Sequence, residues 1–409
     1  MPRSTSSKAA TAGAVVALVA ALASCADNNN PSGRTVGEPI VIGIMASETG
    51  QSLVQPERQA TAKAAIAAIN ERGGVDGHDL EMNFCDTKND PNGELSCMRQ
   101  FVEEGVSAVL APAIIADQTG RSYALASKAG LPVIGGQGLS PVELQTEGVF
   151  PIASGIPGWA FGSVAALLES GATKISLMGT NQPGSMFILA LCEAGLKSAG
   201  ITPTSWVKAD PQADPTFAAA AALAIADGVD GILLDSAPNY IPKEVTALRQ
   251  AGYTGKISSI TAIFGKQILE TLGDDAEGIL LTGQLAFATD TDNPEVKRFL
   301  DEIDEHAAGT EITETSESVW SSFQLFAAVM DGAPGVGSSD VMKAFTDLES
   351  PIDIGVAGPY QVQDAKVYLD DYPQIFNPTV QNGVVVDGEL KSDGKGFVNP
   401  FLALEALKQ

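Results

Sequence analysis

Ile40-Val41-Ile42-Gly43-Ile44-Met45 and Leu80-Glu81-Met82-Asn83-Phe84-Cys85, with the Ala-rich run Glu57–Arg72 between them, set the fold class of this chain. Two short, strand-like runs separated by a helix-length segment can pair side by side only in parallel, because a two-residue hairpin cannot join them. Asn70-Glu71-Arg72-Gly73-Gly74 ends the helical run on glycine, and Asp90-Pro91 opens the next one. The rhythm continues with helix Glu94–Glu104, strand Ala108–Leu110, helix Gln118–Ala129 and strand Pro132–Ile134. Strands that are apolar along their whole length belong in a sheet covered on both faces.

The same rhythm restarts after Phe150-Pro151-Ile152. It predicts helices over Trp159–Ser170, Pro183–Ala199, Thr216–Asp227 and Lys243–Ala251, and strands over Lys174–Met178, Thr204–Lys208, Gly231–Leu234, Ile257–Ile260 and Gly278–Leu281. Three helices without intervening strands follow, over Pro294–Ala307, Ser316–Met330 and Ser339–Leu348, and are expected to return to the first lobe. Val384-Val385-Val386-Asp387-Gly388-Glu389-Leu390 is a hairpin signal. The expected fold class is therefore α/β, with two Rossmann-like doubly wound lobes.

Arg3 and Lys8 precede a short apolar stretch, Ala9–Ala23, which is laid out as a secretory signal and is too short to span a bilayer. It closes on Leu22-Ala23-Ser24-Cys25, which resembles the lipobox of bacterial lipoproteins, in which the Cys is acylated. The expected organisation is a signal peptide over 1–24 and a lipidated flexible tether over 25–37. The rest is lobe 1 over 38–154 plus 285–359 and lobe 2 over 155–284 plus 360–409. An exported chain is excluded from most ATP-driven and nicotinamide chemistry. The full chain carries 24 basic and 50 acidic residues, a formal charge of −26, and without its two leader cations the remainder stands at −28. So acidic a body does not hold a nucleic acid backbone.

Ligands of open α/β sheets bind beyond the carboxyl ends of the strands. That rule selects the loops Ala46–Val54, Ala111–Gln118, Gly135–Pro141, Gly179–Ser185, Asp235–Tyr240 and Thr261–Gly265. The candidate ligand-binding residues within them are Glu48, Thr49, Gln51, Ser52, Ala116, Asp117, Gln137, Gly138, Asn181, Gln182, Asp235, Tyr240 and Thr261. Cys85 and Cys97, at a strand end and one turn into the next helix, are expected to form a disulfide in an oxidising compartment. Cys192 reads as a buried free thiol, and Trp320 and Phe323 as core. No metal site is expected, since no C-x-x-C occurs and the two histidines, His78 and His306, lie in polar surroundings.

Thr49-Gly50, Ile69-Asn70-Glu71-Arg72-Gly73-Gly74-Val75-Asp76-Gly77, Cys85-Asp86 and Asp90-Pro91 together resemble the amino-terminal part of one family, the leucine/isoleucine/valine-type periplasmic binding proteins of branched-chain amino acid ABC importers. Gly130-Leu131-Pro132-Val133-Ile134, Ala251-Gly252-Tyr253, Asp275-Ala276-Glu277-Gly278, Asp371-Tyr372-Pro373 and Asp387-Gly388 extend the resemblance over residues 38 to 395. It implies the type I periplasmic binding fold, two lobes joined by three crossovers, here near Ser154, Gln284 and Pro359. It also implies a small-molecule ligand, ABC permease subunits as partners, a membrane contact by lipid anchor only, action as a monomer, and no cofactor. In amino-acid-binding members, hydroxyls and backbone N–H groups of the third- and fourth-strand loops hold the ligand α-carboxylate. Here Ala116 and Leu139 stand where those hydroxyls would fall. The acidic residue that pairs with the ligand ammonium is missing from Thr261-Ala262-Ile263. Either Asp235 or Glu48 supplies that charge, or the ligand has no α-amine, and the second is the reading favoured here. The expected aromatic lid is replaced by Thr180-Asn181-Gln182-Pro183-Gly184, while Tyr240 keeps the other aromatic wall.

Two other classes compete with a transport receptor. An enzyme finds no support: Ile44–Gly50 lacks G-x-G-x-x-G, Gly135-Gly136-Gln137-Gly138 runs into Pro141, and no G-x-S-x-G occurs. A ligand sensor of the same fold would bind and close in the same way as a transport receptor.

Overall fold

The computed structural model describes residues 37–50 and 54–408. Cys25, the leader and the tether up to residue 36 lie outside these residues, as do Gln51 and Ser52. The chain opens with β1 (Ile40–Ala46), α1 (Pro56–Glu71), β2 (Leu80–Asp86) and α2 (Pro91–Glu104). β3 (Ala108–Leu110), α3 (Arg121–Ala129), β4 (Val133–Ile134) and β5 (Val149–Phe150) complete the first layer. These strands form one parallel sheet in the order β2-β1-β3-β4-β5, with Ile40–Ala46 registered residue for residue on Leu80–Asp86. Local chemistry sets the helix ends. Asp90 caps α2 by accepting from the N–H groups of Asn92 and Gly93, and Gly105 stops it in the left-handed region at φ 68°. The buried positions of α1, Arg58, Thr61, Ala62, Ala65, Ala68 and Ile69, recur at helical spacing, and their mostly small side chains let the helix lie close to the sheet.

The second layer begins with α4 (Gly155–Glu169), β6 (Ile175–Thr180), α5 (Pro183–Ser198), β7 (Ser205–Ala209) and α6 (Ala218–Ala224). It continues with β8 (Gly231–Asp235), α7 (Ile241–Gln250), β9 (Lys256–Ile260), α8 (Lys266–Leu272) and β10 (Leu280–Gly283). The chain then leaves for α9 (Pro294–His306), α10 (Glu314–Met330) and α11 (Ser338–Thr346), and comes back as β11 (Val380–Val386), β12 (Glu389–Val398) and α12 (Pro400–Ala406). The second sheet runs β12-β11-β10-β9-β8-β6-β7, parallel except for the closing hairpin. That hairpin turns at Asp387 and Gly388, both at positive φ, 54° and 75°.

Ile40, Ile42 and Ile44 pack with Val296, Phe299, Trp320 and Phe323, so α9 and α10 cover the first sheet. Met45, Phe101, Tyr123 and Val133 form a core on another face of that sheet. Trp320 and Phe323 are fully buried core residues, and Cys192 is a buried free thiol. A disulfide joins Cys85 to Cys97 and so ties the end of β2 to α2.

Three segments link the layers. Ile156 N–H donates to the carbonyl of Gly138 where the chain first crosses. Ala286 N–H donates to Val356 and Phe287 N–H to the Gln381 side chain at the second passage. Asn377 donates to the Ile152 carbonyl and Ser154 to the Thr379 carbonyl just before β11. Tyr360 and Phe376 sit in the first core, whereas Tyr368 and Ile375 pack against the core around Leu177. The segment after Pro359 therefore touches both layers before entering the second sheet at Val380. Among the described residues no helix is long and apolar enough to cross a membrane.

Candidate functional site

At the carboxyl ends of the first sheet, each loop is held by a carboxylate from elsewhere in the same layer. After β1, Asp86 accepts from the N–H of Glu48 at 3.0 Å, the N–H of Thr49 at 3.3 Å and the Thr49 hydroxyl at 2.6 Å. Burial alone would raise the Asp86 carboxyl, but these bonds and one from Lys88 outweigh it and hold it below the usual range. After β3, Glu94 of α2 takes the N–H groups of Ile115 and Ala116 at 2.8 Å and of Asp117 at 2.6 Å. The Asp117 carboxylate in turn accepts from Thr119 and from the N–H and hydroxyl of Ser122 in the first turn of α3. α3 starts at Arg121 and not at Gln118, behind Gly120 in the left-handed region at φ 71°. After β4, Glu143 takes the N–H of Gly138 at 2.9 Å and of Leu139 at 3.0 Å.

These bonds change what the first lobe can offer a ligand. Five backbone donors beyond β3 and β4 are already spent on Glu94 and Glu143. Glu94 is some twenty residues from the groups it caps, and nothing in the sequence links them. Glu143 was findable: Ser140-Pro141-Val142-Glu143 has the form of a capping box, and Ser140 accepts from Glu143 N–H at 3.2 Å. Arg58 was also missed. It is buried and donates to Gln55 at 3.1 Å, Gln137 at 3.3 Å and the Ala111 carbonyl at 3.4 Å. Among the described residues no carboxylate stands at ion-pair distance from it, and burial lowers its pKa to about 10, which still leaves it cationic.

In the second lobe, Asn181 and Gln182 are exposed at the end of β6. Asp235 is buried at the end of β8, with Oδ2 unpartnered. Burial pushes its carboxyl well above the usual range against a hydrogen bond from Ser185, and the charge of Glu244 adds to the rise. Glu244, behind it, accepts from Ser236 at 2.9 Å and is driven up by burial to about 7. Tyr240 is half-buried, its ring centroid 5.8 Å from that of Phe217.

Thr261 brings the two lobes together. Its hydroxyl donates to Glu314, on the first turn of α10, and Glu314 also accepts from Gln284 N–H at 2.8 Å. Thr313 caps this helix, so acidic groups on its first turn suit the helix dipole. Beside them opens a cavity of about 510 Å³ whose walls include Thr261, Phe264, Leu285, Phe287, Glu314 and Glu317. Of the expected ligand residues among those described, Thr261 alone lines this cavity. Glu48, Thr49, Ala116, Asp117, Gln137 and Gly138 ring the first lobe's strand ends, and Asn181, Gln182, Asp235 and Tyr240 those of the second. The carboxylate absent from the sequence around Thr261 arrives from 53 residues away.

Residues 39–367 match the family model described as periplasmic binding protein. The chain belongs to that family. Its members are extracytoplasmic ligand-binding proteins and not enzymes, and the two parallel-rich sheets are the layers of the type I fold. No curated protein is similar enough in sequence to match. Among solved structures, an extracellular ligand-binding receptor from Verminephrobacter eiseniae is 20% identical, with 86% of this chain and 99% of that one covered at a TM-score of 0.70. A branched-chain amino acid transporter substrate-binding protein from Streptococcus pneumoniae, solved with isoleucine, is 21% identical over 86% and 98% of the two chains, at 0.64. An ABC transporter substrate-binding protein from Desulfitobacterium hafniense, solved with Leu, is 17% identical over 87% and 100%, at 0.68. Likeness at these identities shows a shared fold.

Proposed function

We propose that this binding protein is the lipid-anchored receptor of an ABC importer. It captures a small organic ligand, an amino acid or a related carboxylate or amide, between its lobes and delivers it to permease subunits. Signal peptide 1–24 is removed, Cys25 carries the lipid, and 25–37 tethers the body as a monomer. Lobe 1 spans 38–154 plus 285–359, and lobe 2 spans 155–284 plus 360–409. The observation that carries this reading is the cavity of about 510 Å³ lined jointly by Thr261, just past the end of β9 in one sheet, and by Glu314 and Glu317 of the helix covering the other. A pocket with walls on two hinged bodies changes shape when they rotate, so a ligand that bridges them favours the closed form. Two similar folds solved with isoleucine and Leu add weight to an amino acid or its analogues.

A thermal-shift panel of amino acids, amides and carboxylic acids tests the reading. At least one compound should raise the melting point in proportion to the logarithm of its concentration above Kd. A panel without any such compound, or chemical turnover of one, would count against it.

A further inference from the structure

The cavity beside Thr261 has a lopsided charge. Its walls are largely apolar, with Phe264, Leu269, Leu285, Phe287, Ile312 and Leu390 around a volume suited to a small ligand. One side carries Glu314, half-buried, and Glu317, buried. Glu314 is satisfied by Thr261 and Gln284. Glu317 is not: it is 2% exposed, and its Oε1 has no hydrogen-bond partner. Among the described residues no cation stands within ion-pair distance of either carboxylate. The one basic lining residue, Lys266, has a side chain 90% exposed and lies 4.0 Å from Glu270 at the rim. A buried carboxylate oxygen without a partner is costly, and an ammonium entering from the cavity would remove that cost. The opposite sign is poorly served, because the exposed Lys266 at the rim is the one cationic side chain in the lining, against the carboxylates of Glu270, Glu314, Glu317 and Glu389.

We infer that the cavity reads a protonated amine on an apolar body, with Glu317 as its counter-ion, and that a carboxylate on the ligand is dispensable. This rests on the receptor function proposed above and narrows it to cationic or zwitterionic ligands. It also replaces the reading that the ligand lacks an amine, which rested on the acid-free sequence around Thr261.

Three probes with one branched apolar body separate the possibilities: leucine, 3-methylbutylamine and 4-methylpentanoate, each titrated calorimetrically into the purified full chain. Leucine and the amine should bind within tenfold of each other, and 4-methylpentanoate at least thirtyfold more weakly. Glu317→Gln, which keeps shape and removes the anion, should weaken the amine tenfold or more while melting no lower than the parent without ligand. The inference is overturned if 4-methylpentanoate binds as tightly as the amine, if the amine gives no binding, or if Glu317→Gln leaves its affinity unchanged. A chain that ignores all three probes but binds another panel compound loses this inference and keeps its receptor function. If no compound of any charge binds, the function itself fails.

Discussion

Glu244 reaches Ser236 through one oxygen and nothing through the other, and burial raises its carboxyl to about 7. An unfolded glutamate titrates near ~4.3, so the folded state holds the proton more tightly. The stability it adds is therefore complete below ~4.3 and lost as pH rises through about 7. Melting curves should show Glu244→Gln gaining on the parent between pH 5.5 and pH 8. A gap of the same size at both values would contradict the assignment. At this scale the sequence was only half legible. The crevice rule placed the loops around Gln137, Asp235 and Thr261 at strand ends. What fills the loops' donors and acceptors was hidden, because Glu94, Arg58 and Glu314 act through contacts that leave no periodic trace. A carboxylate that crosses from α10 to Thr261 becomes visible only when both lobes are folded.

Elements were far more legible, since alternation of apolar strands with small-residue helices is a strong signal over long windows. Most errors were at ends, where capping chemistry decides. α6 stops at Ala224, short of the expected Asp227, because the chain turns at Ile225 and Asp227 adopts a positive φ of 58°. Two helices, α8 and α12, and the two-residue β5 went unread because seven residues or fewer carry too little pattern. The link between β2 and α2 offers a test at this level. The disulfide closes a loop with a separation of 12 residues. Replacing both cysteines, Cys85→Ser with Cys97→Ser, should cost about 3 kcal/mol of unfolding free energy, mainly by releasing the unfolded chain. Urea titrations of the two forms measure it, and coincident midpoints would refute that role.

On the scale of the whole molecule, two lobes are joined by three connections and share one cavity. Ser154 to Thr379 and Asn377 to Ile152 bind the first connection to the third, so rotation about this cluster opens or closes the gap without breaking either sheet. The two-lobe plan was readable from the restart of the α/β rhythm after Phe150. The stretch after Pro359 packs on both cores and has no strand until Val380. Closure is the movement on which uptake would depend. Spin labels at Gln118→Cys and Asn239→Cys, exposed sites at strand ends of opposite lobes, report it directly, since Cys192 is buried and the other two described cysteines are bonded to each other. With saturating amounts of the best binder from the panel, the distance between labels should become shorter and its distribution narrower. An unchanged distance at full occupancy would show that the lobes do not trap what they bind.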